Sequence, residues 1–277
     1  MYPFNHLGTP QGTLLGPLAF ILHLGDFNTP GPVEDYIYVD DTSCCHASSD
    51  PLDTHIQRAA DYSKDWADSN DMRMNAVKTK EMVFSFSKSL ELPPITIGNT
   101  GIERVAQSKL LGVTLCSDLS WNAHIDSALA KCHQRLYLLS HLKRSGVPVA
   151  DLLTLYKATT RPVLQYAAPV WHSSLPRYLS MDLEQVQRRA LRIIFGDGTY
   201  NDHREAAGLP TLLDRRLRLC EAFYKEMNKP DNRLHHLLPA PRERRYSLRR
   251  PRRLPEIPGR TTRFKNSFVP WAVRIFD

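Results

Sequence analysis

The 277-residue chain has no apolar run near the roughly 20 residues needed to span a bilayer. The nearest, Leu14 to Leu24, is interrupted by Pro17 and His23 and follows no basic leader, so it does not read as a secretory signal either. Cysteine is sparse. The five present (Cys44, Cys45, Cys116, Cys132 and Cys220) are odd in number and form no Cys-x-x-Cys pair, which argues against a disulfide framework and against a zinc knuckle. A reducing, intracellular setting follows, with nuclear or cytoplasmic residence left open. The eleven histidines are scattered, and the one adjacent pair, His235-His236, reads as surface. A large excess of one charge is missing from most of the chain. Residues 242–265 carry nine Arg and one Lys against two Glu, so nearly all of the net +7 resides there and the remainder is close to neutral.

What is present is concentrated between Gly8 and Asp41. Pro10-Gln11-Gly12 is followed by Leu15-Gly16-Pro17-Leu18-Ala19-Phe20, with Leu18, Ile21, Leu22 and Leu24 expected on the buried face of a helix. Asn28 to Pro32 is a cluster of turn residues. Asp35 to Val39 and Thr42 to Ala47 read as two strands, which puts Asp40 and Asp41 at the tip of an antiparallel hairpin. Adjacent carboxylates at such a place suit a hard cation. Mg²⁺ characteristically takes one or two protein carboxylates and completes its shell with water and substrate phosphates.

Downstream, Asp50-Pro51 starts a helix with Leu52, Ile56, Ala59, Ala60, Ser63 and Trp66-Ala67 on one face, ending near Asn70. Met72 to Asn75 and Met82 to Phe86 read as strands, and Pro93 to Arg104 as a hairpin. Leu110 to Leu115 reads as a strand containing Gly112, whose missing side chain permits close approach of another backbone. From Trp121 the period changes. Trp121, Ile125, Leu129, Cys132, Leu136 and Leu139 repeat at helical spacing, and further helices follow from Pro148, over Leu175 to Ile194, and over Thr211 to Met227. A mixed α/β part therefore passes into an all-helical part, for an α+β fold.

Pro10-Gln11-Gly12, Leu-Gly-Pro-Leu-x-Phe and Tyr38-Val39-Asp40-Asp41, in this order, resemble the palm of reverse transcriptases, most closely those of non-LTR, jockey-like retrotransposons. The later stretches Leu119-Ser120-Trp121-x-x-His124-Ile125, Tyr166-Ala-x-x-x-Trp171, Gln187-Arg188-Arg189-Ala190-Leu191-Arg192 and Arg263-Phe264-x-x-Ser267-Phe268-x-Pro270 are similar to the remainder of such proteins. The resemblance implies a partial palm over residues 1–117, with an antiparallel sheet and helices. A helical thumb and connection region would follow over 118–230, and a basic, partly disordered tail over 231–277. It implies RNA-directed DNA polymerase activity with Mg²⁺ or Mn²⁺ on Asp40 and Asp41, an RNA template, a DNA primer and a deoxynucleoside triphosphate, and no membrane partner. Gln11 and Gly12 would line the nucleotide and template side. Lys78, in Asn75-x-x-Lys78-Thr79, would be the acid that protonates the leaving pyrophosphate, and Leu111 and Gly112 would form the primer grip.

Arg188, Arg189 and Arg192, with Arg244, Arg245, Arg249, Arg250, Arg252 and Arg253, are candidates for contact with nucleic-acid phosphates. A solvated helix face and a solvated tail are the alternatives. The Arg-rich 244–253 also resembles a nuclear import signal. Trp121, Trp171 and Trp271 read as core. Enzymes of this kind place a further metal-binding Asp on a strand upstream of the Pro-Gln-Gly turn, and Met1 to Leu7 contains no acid. Nucleotidyl transfer by these 277 residues alone is therefore expected to be undetectable, leaving nucleic-acid binding as the alternative function.

Overall fold

The computed structural model of the protein describes residue 18 and residues 21–50, 52–85, 92–241 and 254–277. Two compact units are distinguished. One comprises Met1–Lys109 with Cys116–Leu119, the other Leu110–Leu115 with Ser120–Asp277.

In the first unit, a 3₁₀ turn at Leu24–Asp26 leads to strands β1 (Glu34–Tyr38) and β2 (Asp41–Cys45). They pair antiparallel, in the expected places, with Tyr38 opposite Asp41 and Glu34 opposite Cys45. Half-buried Asp35 and Cys44 of the ladder lie on the side of helix α1 (His55–Ser69), whose Ala59, Ser63 and Ala67 are buried. The helix ends where expected but starts later than Asp50-Pro51 suggested, and Leu52 is exposed. Leu18, Ile21 and Leu22 are exposed too, contrary to expectation. The side chains of that segment that meet α1 are instead His23 and Phe27, both against Trp66.

The remaining strands are short. β3 (Lys80–Glu81) pairs in parallel with β6 (Glu103–Arg104), and β4 (Thr96–Ile97) pairs antiparallel with β5 (Thr100–Gly101) around Gly98 at φ 59°. Arg104 grips Glu81 through two bonds of 2.9 and 3.0 Å. Gln57 of α1 clamps Thr96, donating to its carbonyl and accepting from its N–H, both at 2.9 Å. The expected strands at Met72–Asn75 and Met82–Phe86 are not formed over the described residues; 72–75 and 82–85 are irregular. A strand persists only where a neighbour satisfies its ladder, and none runs beside these among the described residues. The expected strand Leu110–Leu115 is in fact a hairpin. β7 (Gln107–Leu110) and β8 (Val113–Cys116) flank a turn in which Leu111 and Gly112 both have positive φ, 46° and 85°. That is the backbone twist a two-residue hairpin turn demands.

The second unit is helical: α2 (Asn122–Arg144), α3 (Val149–Leu155), α4 (Arg161–Val163), α5 (Ala168–Trp171), α6 (Arg177–Phe195), α7 (Tyr200–Ala207), α8 (Leu212–Met227), α9 (Thr262–Lys265) and α10 (Phe268–Phe276). A π-helical segment, Tyr156–Thr160, joins α3 to α4 just before Pro162, whose missing N–H and bulky ring are incompatible with an uninterrupted α-helix. The main core lies between α2 and α6. It contains Ile125, Cys132, Leu136 and Leu139 from one and Leu179, Leu183, Val186, Ala190, Leu191 and Ile194 from the other, all in the expected register. Fully burying a Leu or Ile stabilises by roughly 1.5–3 kcal/mol, so this seam dominates the unit.

Thr199 and Asp202 form a capping box at the start of α7, and Thr211 caps α8. Residues 254–277, within the stretch expected to be a partly disordered tail, contribute to a second apolar cluster. Leu254, Trp271, Ala272 and Val273 bury against Cys220 and Tyr224 of α8. Among the described residues, no helix is long and apolar enough to cross a membrane.

Candidate active site

The β1–β2 hairpin turns through Val39 and Asp40, with Asp41 as the first residue of β2. Alternation along the ladder sends Asp35 and Cys44 toward α1, while Tyr36, Tyr38, Asp40 and Asp41 are exposed. The three aspartates therefore have different fates. Asp35 is committed to structure, accepting from the Thr29 N–H at 2.7 Å and from the Thr29 hydroxyl at 2.8 and 2.9 Å. Burial, aided by the neighbouring Asp35, pushes the Cys44 thiol up to about 12, so it stays protonated. Asp40 and Asp41 accept no hydrogen bond and enter no ion pair among the described residues. Such a pair offers carboxylate oxygens alone, a donor set that fits a hard divalent cation.

The tip is also strained. Val39 has φ 55°, a conformation that costs a β-branched residue about 1–3 kcal/mol and that concentrates at functional sites. The ladder on both sides of the turn holds it in place.

Lys78 lies in the same unit, exposed, in a turn built by Asn75. The Asn75 carbonyl and side-chain oxygen both accept from the Lys78 N–H at 3.1 Å, and the Thr79 hydroxyl donates to the same carbonyl at 3.0 Å. The lysine makes no hydrogen bond or ion pair to Asp40 or Asp41. Gln11 and Gly12 lie outside the described residues, as do Arg244, Arg245, Arg249, Arg250, Arg252 and Arg253.

In the second unit, Leu111 and Gly112 occupy the β7–β8 turn. What approaches Gly112 is a side chain of the protein itself. A Cβ there would meet the Tyr166 ring at 3.2 Å, and the Tyr166 hydroxyl donates to the Leu111 carbonyl at 2.7 Å. The Tyr166 carbonyl in turn accepts from the Trp171 indole at 2.9 Å, and Trp171 packs on His124, which packs on Trp121. The aromatic motifs noted in the sequence are thus one structural assembly, and Trp121, Trp171 and Trp271 are core as expected.

Arg188, Arg189 and Arg192 are exposed on α6, with Arg188 stacked 5.0 Å from the Tyr200 ring centroid. Between them and the core, Gln187 is fully buried and fully bonded. It accepts from the Tyr156 hydroxyl at 3.0 Å and donates to the Tyr200 hydroxyl and the Pro210 carbonyl at 2.9 and 3.0 Å.

Sequence reasoning missed one cluster. His46, Asp53 and His55 converge at the base of the hairpin with their ligand atoms all within 4.8 Å of one another. The signal available was Asp53-Thr54-His55 at the start of α1, with His46 just after β2.

No family model matches the chain, and no solved structure does. Curated relatives do. Over 266 residues, 89% of the chain, it is 26% identical to a probable RNA-directed DNA polymerase from transposon X-element of Drosophila melanogaster, of which it covers 28%. Over 242 residues it is 25% identical to the RNA-directed DNA polymerase from mobile element jockey of the same species, with 82% of the chain and 26% of that protein aligned. A probable RNA-directed DNA polymerase from transposon BS aligns over 204 residues at 23% identity, 68% of the chain and 22% of that protein. The homologues of this chain are therefore RNA-directed DNA polymerases of non-LTR retrotransposons. The chain spans about a quarter of the length of these curated relatives.

Proposed function

We propose that the β1–β2 hairpin is the metal-binding hairpin of a reverse transcriptase, in which Asp40 and Asp41 hold Mg²⁺ or Mn²⁺. The observation that carries this reading is the pair of exposed carboxylates, without a partner among the described residues, at a strained tip whose third acid, Asp35, is bonded inward. The polymerase relatives support it. When bound, two such metals lower the pKa of a primer 3′-hydroxyl and neutralise charge on the departing pyrophosphate.

The chain's own residues then have defined tasks. Asp40 and Asp41 are positioned by the ladder behind them. Lys78, presented by the Asn75 turn, protonates the pyrophosphate as it leaves. Gln11 and Gly12 line the nucleotide and template side. Leu111 and Gly112 present a fixed turn to the DNA primer, their conformation set from behind by Tyr166. The arginines of α6 and of residues 244–253 neutralise phosphates of the RNA template and primer strand.

The test places these residues in a longer polymerase. A chimera carrying this chain in place of the matching segment of the jockey polymerase should extend oligo(dT) on poly(rA) with Mg²⁺ or Mn²⁺. Extension should disappear in Asp40→Asn/Asp41→Asn while template–primer binding persists. Undiminished extension by the double variant would sink the assignment.

A further inference from the structure

The base of the hairpin carries a second group of metal-ligating side chains, separate from Asp40 and Asp41. His46 follows β2, and Asp53 and His55 stand at the entry to α1. The His46 Nδ1 lies 2.8 Å from the Pro32 carbonyl oxygen. A carbonyl only accepts, so Nδ1 carries the hydrogen and Nε2 of the neutral ring presents its lone pair. That lone pair faces another acceptor, Asp53 Oδ2, at 2.8 Å. On the other side of the same carboxylate, His55 Nδ1 lies 2.7 Å from Oδ1. Oδ1 also accepts from the His55 N–H at 2.8 Å, which fixes the carboxylate's orientation.

Two imidazole nitrogens thus flank one carboxylate, and the His46–Asp53 contact holds a cation between two lone pairs, either a proton on Nε2 or a metal ion in its place. A backbone carbonyl on the far nitrogen is the arrangement that orients metal-ligating histidines. The His46, Asp53 and His55 side chains are 9%, 16% and 35% exposed, so the cation would be shielded on the His46 side and open to water on the His55 side. The His46 and His55 rings are 4.9 Å apart, close enough to share it.

We propose that His46, Asp53 and His55 bind a borderline transition-metal ion of the Zn²⁺ class. Two imidazoles and a carboxylate suit Zn²⁺ and disfavour Mg²⁺ and Ca²⁺, which take oxygen shells. Ligand distances of about 2.0–2.2 Å put tetrahedral donors about 3.3 Å apart, so the His–Asp contacts would open by about half an ångström while the two imidazole nitrogens, within 4.8 Å of each other, close on the ion. Water completes the shell. The ion would replace the proton shared between ring and carboxylate, which passes to solvent.

Its role follows from its position. It ties the segment before β1, through Pro32, and the end of β2, through His46, to the first turn of α1. The hairpin that presents Asp40 and Asp41 is then clipped at its base. The inference does not depend on the polymerase reading, since a structural clip of this kind is independent of what the tip does.

The experiment uses the full 277-residue chain. Titration with Zn²⁺ should show saturable binding of one equivalent and raise the unfolding temperature. Substitution by Co²⁺ should give the visible absorption of a low-coordinate ion without the ultraviolet band of cysteine ligation. His46→Gln/His55→Gln should lose the one-equivalent binding and the thermal shift, and Asp40→Asn/Asp41→Asn should keep both. No saturable binding by the unaltered chain would overturn the proposal without recourse to any variant. So would a cysteine-to-cobalt band, or Zn²⁺ binding undiminished in the histidine double variant.

Discussion

His172 sits where a charged imidazole has no counter-ion. Its Nδ1 accepts from Arg216 Nε at 3.4 Å, and its ring meets Trp271 edge-on. Burial, with Arg216 adding to it, pushes its pKa down to about 4. Burial depresses His124 in the same direction, and its Nδ1 accepts from the Thr114 N–H at 3.3 Å, which only the unprotonated nitrogen can do. Both groups bind protons more readily when the chain is unfolded. Their contribution is therefore complete above about pH 6.5 and falls as the pH drops toward 4. The unfolding free energy from urea denaturation should decline over that window, by on the order of 2–3 kcal/mol for His172 alone. His172→Gln, which can still accept from Arg216, should flatten the decline; an unchanged profile would show that His172 is not its source. None of this was legible in the sequence. There His172 was one of eleven scattered histidines, and its partners lie 44 and 99 positions further along.

Elements were legible in proportion to how local their determinants are. The β1–β2 hairpin was visible because turn residues and β-branched runs lie within about fifteen positions of one another. Helices α2, α6 and α8 were visible because an apolar stripe and its caps belong to one stretch of chain. The irregular course of 72–75 was not, since a strand's existence depends on a partner that its own residues do not specify. The β7–β8 turn was hidden by its Leu-Leu-Gly-Val sequence, which reads as strand until two positive φ angles are known. Helix α6 has two distinct sides. Leu183, Val186, Ala190 and Ile194 face inward, while Arg188, Arg189 and Arg192 face solvent. If those arginines track a phosphate backbone, Arg188→Ala/Arg189→Ala/Arg192→Ala should reduce the slope of log affinity against log salt by about two to three for an RNA–DNA duplex. An unchanged slope would leave α6 with a solvated face and move the phosphate contacts elsewhere.

At the scale of the whole molecule, the two units differ in how much they bury. Both apolar clusters, the large one between α2 and α6 and the smaller one on α8, belong to the second unit. The described part of the first unit contributes few buried apolar side chains, chiefly Ala59, Ala67 and Ile97. Local opening follows buried contact, so the first unit should open at lower free energy. Limited proteolysis should cut early within residues 21–109 and leave a protected fragment beginning near Ser120. Early cleavage inside α2 or α6 would contradict this. What the sequence showed at this scale was a change of hydrophobic period from Trp121 onward. The docking of residues 254–277 was not, because the density of Arg and Pro beside them obscured the apolar face of α10.

The turn at Gly112 has a consequence for how such a sequence drifts. Its backbone conformation excludes most side chains, and the Tyr166 ring occupies the space that any of them would enter. The two positions are therefore not free to change separately. A side chain at 112 first requires the Tyr166 ring to move aside. Substitution at 112 should therefore be found together with a smaller residue at 166.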